Sequence, residues 1–460
     1  MIQSPSGTSG PRPRRRPPAH PRPFPGLALA LLLALPVVAR AQAGAAVLAS
    51  GSDSLSLAAV YAAVADGTPR VEAARAASRA AEERIGPARR PPDPELQFGL
   101  MNRDLPGFGL SDPLGMNQIQ LMLMIPTAGK LGLATDVARA RAAAAAEQAH
   151  EVQWEERGRA AMAFYEVYAG DHTIRIMRET QRLLRDLVRT TETMYAVGGA
   201  RQTDVLRAHV ELARMTEDLV RMEAMRGAAA ARLNAVLDRP AEHPVPPAAE
   251  PAGPGALPPT DSLLALARAR RPMLRAGSAS LRAARASERL AGRELWPDLE
   301  VGLQYGWRGM DDGTMHMASV MVGVRVPIWA ASRQKAMRRE AEAMRDMAAA
   351  DLQAMEADTR GRVGELGASV ARAQRLRDLY AGTILPQATT TAASAMAAYR
   401  VGGVDFMTVL DAQMNVNRYR QAAVGAAAEL GQAVAELEML TATPLHTEHP
   451  TAGGVLGGAR

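Results

Sequence analysis

The stretch YAVGGARQTDVL (residues 195–206) returns in closely similar form as YRVGGVDFMTVL (residues 399–410). Both contain Tyr-x-Val-Gly-Gly followed by Val-Leu, at a constant offset of 204 residues. Three prolines of the first half also have partners: Pro69 with Pro272, Pro94 with Pro297 and Pro126 with Pro327. Landmarks that recur in one order at nearly constant spacing predict a duplicated unit of about 200 residues.

The amino-acid composition indicates where one repeat ends and the next begins. A Pro-rich segment at 239–259 separates the two copies. We therefore predict a leader at 1–41, a first repeat at 42–238, a second repeat at 260–442 and a flexible tail at 443–460.

The leader has the three-part order of a secretory signal peptide. An Arg- and Pro-rich stretch precedes an apolar run from Leu27 to Val38, and the small-residue site Ala39-Arg40-Ala41 follows. The run has 12 residues, whereas a membrane-spanning helix needs ~20. Cleavage is therefore expected near Ala41. The alternative is a start codon placed too early.

Charge and cysteine content exclude two classes of protein. The net charge of +6 is carried by the arginines before position 42, where no Asp or Glu occurs, so the remainder is formally neutral. The charge argument for nucleic-acid binding is thereby removed. Cysteine is absent, which excludes a lipid anchor on Cys and requires an exported chain to be stabilised by packing or oligomerisation.

Each repeat contains two segments in which apolar and polar residues alternate, the pattern of strands with one apolar and one polar face. The predicted strands cover about 94–102, 117–126, 297–306 and 317–326. Their length matches that of a tilted strand crossing a bilayer, about 9–11 residues. The polar parity predicts a lumen-facing set: Gln118, Gln120, Met122, Met124, Met321 and Arg325.

The rest of each repeat is predicted to be helical. A proline-free run at 131–196 gives a helix of about 100 Å. It is expected to pair with two shorter helices, at 57–85 and 202–237. The second repeat offers the same set at 332–400, 261–293 and 404–441.

Four membrane strands cannot close a barrel, because about eight is the practical minimum. Open strand edges in lipid would leave backbone groups without hydrogen bonds, at several kcal/mol each. Self-association is therefore predicted. Two copies would give about eight strands with a filled interior and three would give about twelve with a lumen; the strand count does not choose between them.

The duplicated order strand–strand–long helix–turn–return helix resembles the TolC outer-membrane efflux family, and the turns 195–206 and 399–413 are its most specific matches. The resemblance implies a mainly helical homotrimer with a 12-stranded β-barrel and a coiled-coil periplasmic tunnel. It also implies docking to a periplasmic adaptor and an inner-membrane pump of the resistance-nodulation-division type. The segment IPTAGKLGL (125–133) is similar to the heavy-metal efflux branch.

The glycine pairs at the two turns must reverse the chain, which glycine does with positive φ. The resemblance further implies that both turns receive the adaptor, through Val197, Gly198, Gly199, Val401, Gly402 and Gly403. The alternative is turn geometry alone.

Three acids follow these turns: Asp204, Asp405 and Asp411. Three copies of an inward-facing Asp would form an acidic ring that favours cations. The family has two aspartates near its periplasmic constriction; Asp411 matches one, whereas Thr408 stands at the place of the other, where Asp405 could substitute. The alternative is a set of solvated helix-end acids.

Methionine is abundant, with 24 residues, and Met315-His316-Met317 is predicted to lie in a loop at a strand end. Thioethers suit soft ions such as Cu(I), so these three residues are weak candidates for a metal site and metal ions are candidate cargo. The alternative is space filling by methionine.

No nucleophile elbow, phosphate loop or zinc spacing is present, so neither an enzyme nor a cofactor is predicted. The predicted function is that of an outer-membrane exit duct with a large periplasmic portion. Two other classes stay open: a periplasmic adaptor, which the duplication disfavours, and a coiled-coil scaffold of an export complex, which does not explain the four alternating segments.

Overall fold

The structure is a computed structural model and describes residues 54–65, 67–101, 115–251, 253, 255–310 and 313–446. The predicted signal peptide (1–41) and most of the predicted tail (443–460) lie outside the described residues.

Both repeats contain the predicted sequence of elements. The helices of the first repeat are α1 (Leu57–Ala65), α2 (Pro69–Glu83), α3 (Ile85–Ala88), α4 (Lys130–Ala196) and α5 (Gln202–Val236). Those of the second are α6 (Thr260–Arg270), α7 (Pro272–Arg293), α8 (Gln334–Leu379), α9 (Leu385–Arg400) and α10 (Phe406–Thr441). The strands are β1 (Glu95–Met101), β2 (Met116–Ile125), β3 (Asp298–Met310) and β4 (Gly313–Arg325). The predicted duplicated strand–strand–helical hairpin unit is confirmed.

Two predicted helices are broken at proline, so their prediction as continuous runs was wrong. Pro69 and Pro272 each stand at the start of a new helix. Proline has no N–H and its ring clashes inside a helix, but its fixed φ suits the first helical turn. The Thr68 hydroxyl accepts a hydrogen bond from the Val71 N–H (3.4 Å) and so caps α2.

The predicted helix at 332–400 is also divided, since a π-helical turn at Tyr380–Ile384 separates α8 from α9. Pro386 follows this turn and cannot donate the backbone hydrogen bond of an uninterrupted helix. The proline-free α4 runs unbroken for 67 residues, or about 100 Å.

Within the described residues, four strands form one antiparallel sheet in the order β1-β2-β3-β4. The register pairs Gln118 with Gly306 and Gln120 with Gln304. Neighbours in register share a face, so the polar residues of all strands lie together. The second hairpin is longer than predicted, because pairing continues to Met310 and Gly313. Gly309 interrupts the apolar alternation after Trp307 and conceals the end of the strand in the sequence.

The long helix α4 packs against α2, α5, α7 and α10, whereas α8 packs against α6, α7 and α10. One buried apolar cluster lies near the helix turns and includes Leu187, Met215 and Phe406. Another joins α6, α8 and α10 through Val363 and Val434. These contacts hold the outward and return helices of the two repeats together.

A buried carboxylate fixes the end of α10. Glu438 is 1% exposed and accepts hydrogen bonds from the backbone and ring of His446 and from Tyr61 of α1. Burial alone would raise the pKa of Glu438, but the hydrogen bonds and charge of His446 outweigh burial and hold that pKa below its usual value. This network ties the chain after α10 to the first helix.

The two repeats are joined at one end of the sheet. Lys130, 6% exposed, extends from the start of α4 to Asp298 at the start of β3 (Nζ–Oδ1 2.8 Å). Its ammonium also donates to the Trp296 carbonyl (2.9 Å). The Thr127 backbone N–H donates to the same Asp298 carboxylate (3.1 Å). We call this contact the inter-repeat joint.

Candidate functional sites at the helix turns and on the sheet

Both turns that end the outward helices have the same backbone. At the first, the Gly199 N–H donates to the Met194 carbonyl (2.7 Å) and the Gly198 N–H to the Tyr195 carbonyl (3.0 Å). At the second, the Gly403 N–H donates to the Ala398 carbonyl (2.8 Å) and the Gly402 N–H to the Tyr399 carbonyl (3.0 Å). This is the Schellman pattern that satisfies the last carbonyls of a helix.

The first glycine of each pair is the one that the turn requires. Gly198 has φ +73° and Gly402 has φ +75°, in the left-handed region. A Cβ at either position would meet no atom within 4 Å, so conformation and not space excludes other residues. Neither Gly199 nor Gly403 has a positive φ.

Two valines protrude at these turns. Val197 is 78% exposed and Val401 is 84% exposed. A large apolar side chain held at a rigid turn is available for contact with another protein. The six turn residues predicted to contact an adaptor therefore form two similar turns, each with one exposed valine.

The acids that follow the turns differ in their bonding. Asp405 caps α10, because its carboxylate accepts the backbone N–H (2.9 Å) and the hydroxyl (2.5 Å) of Thr408. These hydrogen bonds hold the pKa of Asp405 below its ordinary value. Asp204, on the first turn of α5, accepts the Arg201 backbone N–H (3.2 Å). Both carboxylates are thus engaged by backbone at a helix start.

Asp411 is exposed on α10 and, within the part of the chain that the structure describes, has no hydrogen-bond or ion-pair partner. Its carboxylate is therefore open to solvent, and its role in cation selectivity stays a prediction. The spacing in the sequence does not distinguish Asp411 from Asp204 and Asp405, although an Asp directly before a helical run, as at Asp405, is typical of an N-cap.

The sheet has one polar and one apolar face. All six residues predicted to face a lumen lie on the polar face. There Gln304 donates to Gln118, and Arg325 pairs with Glu300 (2.6 Å). The opposite face carries Phe98, Val320 and Val322, exposed by 73%, 71% and 69%. Such an arrangement suits a wall between lipid and water.

Methionines on the polar face lie over glycines of the neighbouring strand. A Cβ at Gly302 would come within 3.2 Å of the Met321 methyl carbon, and one at Gly306 within 3.0 Å of the Met116 sulfur. These side chains fill space that the glycines leave, which is the ordinary role of methionine.

The prediction that Met315-His316-Met317 forms a loop was wrong, since all three residues lie within β4. Successive side chains of a strand point to opposite faces. Met315 and Met317 lie on the polar face, whereas His316 lies on the other, with its Nδ1 2.7 Å from the Tyr305 hydroxyl. The three cannot converge on one ion.

Among the described residues, no helix has the length and apolarity that crossing a membrane requires. No group of three or more His, Asp or Glu side chains among them is placed to hold a metal ion.

The geometry can now be compared with known proteins. The model of the family described as "Outer membrane efflux protein" matches residues 60–239 and 263–443, which is most of the chain. The chain belongs to the outer membrane efflux protein family. Each matched range contains one strand pair and one helical hairpin. Among curated proteins, none matches this sequence.

Solved structures of outer-membrane channels share the fold. CusC matches with a TM-score of 0.72 at 16% identity, over 84% of this chain and 92% of CusC. VceC from Vibrio cholerae matches with a TM-score of 0.72 at 15% identity, over 85% of this chain and 97% of VceC. The open-state MtrE channel of Neisseria gonorrhoeae matches with a TM-score of 0.70 at 16% identity, over 85% of this chain and 89% of MtrE.

Family membership confirms the predicted function at the level of the duct. This outer membrane efflux protein conducts substrates through the outer membrane and is not an enzyme. The predicted fold class, mainly helical with a membrane β-barrel part, is confirmed as well. The inter-repeat joint was missed by sequence reasoning, because Lys130 and Asp298 lie far apart in the chain.

Proposed function

We propose that three copies of this efflux protein close into a 12-stranded barrel and a helical tunnel, which passively conduct cargo from a pump and adaptor across the periplasm and the outer membrane. One observation carries the proposal. Within the described residues the sheet ends at β1 and β4, each paired on one side only. Unpaired strand edges are not stable in lipid, so other copies must pair with them.

Three copies are favoured over two by the side chains of the polar face. Gln118, Gln120, Glu300 and Arg325 lie there. About eight strands would force these groups into a filled interior, whereas about twelve leave room for water around them. The predicted lumen-facing role of Gln118, Gln120 and Arg325 therefore depends on a barrel wide enough to hold water.

Planar-bilayer recording tests the duct. Protein extracted from membranes in detergent should insert and give a steady conductance. The matched control is Phe98→Asp, which places a charge on the apolar face at a position 73% exposed and should prevent insertion. Absence of conductance from well-folded protein, or unimpaired insertion of the control, would overturn the proposal.

The adaptor contact is proposed to lie at the two turns, on the exposed side chains of Val197 and Val401. Charged substitutions there should abolish efflux, measured as drug or metal resistance in a deletion strain, while assembly and bilayer conductance stay normal. Thr193→Asp supplies the control: Thr193 is exposed near the first turn, and its hydroxyl bonds only its own helix, at the Arg189 carbonyl (2.9 Å). Equal losses in all variants would contradict docking at the valines.

The pump is proposed to be of the resistance-nodulation-division type and to select the cargo. Export of metal ions stays a prediction. A deletion strain challenged with Cu, Ag, Zn, Co and a drug panel decides the cargo, because hypersensitivity to metals alone would support it and hypersensitivity to drugs alone would contradict it.

A further inference from the structure

The inter-repeat joint shows how one repeat meets the next inside the chain. The segment that follows β2 and begins α4 contributes Thr127 and Lys130. The segment that ends α7 and begins β3 contributes Trp296, Pro297 and Asp298. A base from the strand-to-helix segment thus pairs with an acid from the helix-to-strand segment.

The two counterpart segments line one cleft beside the joint, but among the described residues they make no such ion pair with each other. One is the strand-to-helix segment after β4, residues 326–335, where Val326, Ile328 and Trp329 are exposed by 63%, 77% and 68%. The other is the helix-to-strand segment after α3, residues 89–95, which reads RRPPDPE and is exposed throughout. Large exposed apolar side chains in a cluster mark a surface for contact with protein or with lipid.

Charge makes these two segments complementary. The segment after β4 ends in Arg333 and Lys335, which are exposed and have no acidic partner within the described residues. Asp93 in the other segment is exposed and equally without a basic partner there. Arg89 and Arg90 begin that segment, so a basic side chain should approach its acidic end, next to β1.

The packing order of the helices agrees with this pairing. The helix α4 is flanked by α2 and α7, and α7 is flanked by α4 and α8. The sheet runs from β1 to β4 in the same direction. A second copy that continues both series must place its β1 and α2 beside β4 and α8 of the first.

We infer that residues 326–335 of one copy bind residues 89–95 of a second copy, with Ile328 and Trp329 packed on Pro91 and Pro92 and with Arg333 paired to Asp93. This inference rests on the proposed function and names the contact that closes the ring. By repeat position the counterparts of Asp298 and Lys130 are Glu95 and Ala331, so Asp93 and Arg333 each stand two residues away from the place of their partner in the inter-repeat joint.

Cysteine cross-linking tests the contact, and the chain contains no cysteine of its own. Membranes with the double variant Asp93→Cys/Arg333→Cys, treated with a short bismaleimide, should give bands of two and three linked copies on a denaturing gel. The control is Leu299→Cys/Val324→Cys, a cross-strand pair within one sheet, which should give one-copy bands only. One-copy bands alone from the Asp93/Arg333 variant, with no band of two or three linked copies, would overturn the inference.

Charge exchange gives a second readout. Asp93→Arg and Arg333→Asp should each lower the temperature at which heated, detergent-extracted assemblies fall apart on a native gel, and the double exchange should restore it. No recovery in the double variant would contradict the pair. Three-copy assemblies that conduct but do not cross-link would overturn this contact and leave the proposed function standing, whereas single copies without conductance would overturn both.

Discussion

The two helix turns share a backbone and differ in their surroundings. Tyr195 of the first is 49% exposed, whereas its counterpart Tyr399 is 4% exposed and packs edge-on against Phe406. Leu206 is 57% exposed and its counterpart Leu410 only 3%. The second turn is embedded in the buried cluster of the chain, and the first lies at its margin.

This difference shows what a duplication preserves. The hydrogen bonds and the positive φ of the turn are local, so both copies have them. Burial depends on which helices lie alongside, and only the second return helix, α10, packs against α4, α8 and α9 at once. The same sequence motif therefore forms a stabilising core at one turn and an exposed surface at the other.

The largest expected effect is a difference in stability between alanine variants of Leu410 and Leu206. Leu410→Ala should lower the free energy of unfolding by about 2–5 kcal/mol, because it leaves a cavity in a packed core. Leu206→Ala should change it by about 0.5 kcal/mol or less, as surface substitutions do. Urea denaturation followed by circular dichroism measures both. Equal losses would place the first turn in a buried contact and break the comparison.

Unlike the leucine substitutions, alanine substitutions of the two turn glycines should lower the stability by similar amounts. Gly198→Ala and Gly402→Ala force a Cβ into the left-handed region, and each should cost about 1–2 kcal/mol. The matched control is Gly199→Ala, because Gly199 has no positive φ and a Cβ there would make only ordinary van der Waals contacts, so we expect a smaller loss from it. If Gly402→Ala lowered the free energy of unfolding far more than Gly198→Ala in the same denaturation series, the two turns would not share a local requirement for glycine.

The caps provide a smaller effect that depends on pH. The pKa of Asp405 is held below its ordinary value of 3.8 by Thr408. Its charged form therefore stabilises the protein above about pH 4, and this contribution is lost as pH falls through the folded pKa. Thermal melting across this range should show a weaker pH dependence for Asp405→Asn, which still caps.

Asp405→Ala serves as the companion variant. It should lower the melting temperature at neutral pH, where Asp405→Asn stays close to the parent. A neutral-pH melting temperature of Asp405→Ala equal to that of the parent would contradict the capping role.

The smallest effect on stability is expected at Asp411, whose carboxylate has no partner in the described chain. Asp411→Ala should leave melting unchanged but raise single-channel conductance or change block by cations. The repeat offers a control at the equivalent position of α5, Arg207, which is also exposed. If Arg207→Ala altered cation block while Asp411→Ala did not, the acid would be an ordinary solvated side chain.

Local and periodic features of the fold could be predicted from the sequence. The bounds of α4 were predicted within a residue, because no proline interrupts the run before the Gly198 turn. The faces of the sheet followed from alternation alone. Pro69 and Pro272 were recognised as repeat landmarks but not as helix starts, although the rule for proline at the first turn was available.

Contacts between distant residues could not be predicted. The pairs Lys130–Asp298 and Glu438–His446 depend on which helices lie side by side, and no local pattern encodes that. The residue types of Met315-His316-Met317 suggest a metal site, but strand alternation places His316 on the face opposite to the two methionines. The capping function of Asp405 was encoded locally and could have been recognised.

The central claim is that this chain supplies only part of a closed wall. Native mass spectrometry of the protein released from membranes in mild detergent counts the copies in each particle. We expect particles of three copies, with single copies appearing only as the detergent is made harsher. Single copies alone under the mildest extraction, with the folded circular dichroism spectrum retained, would contradict it.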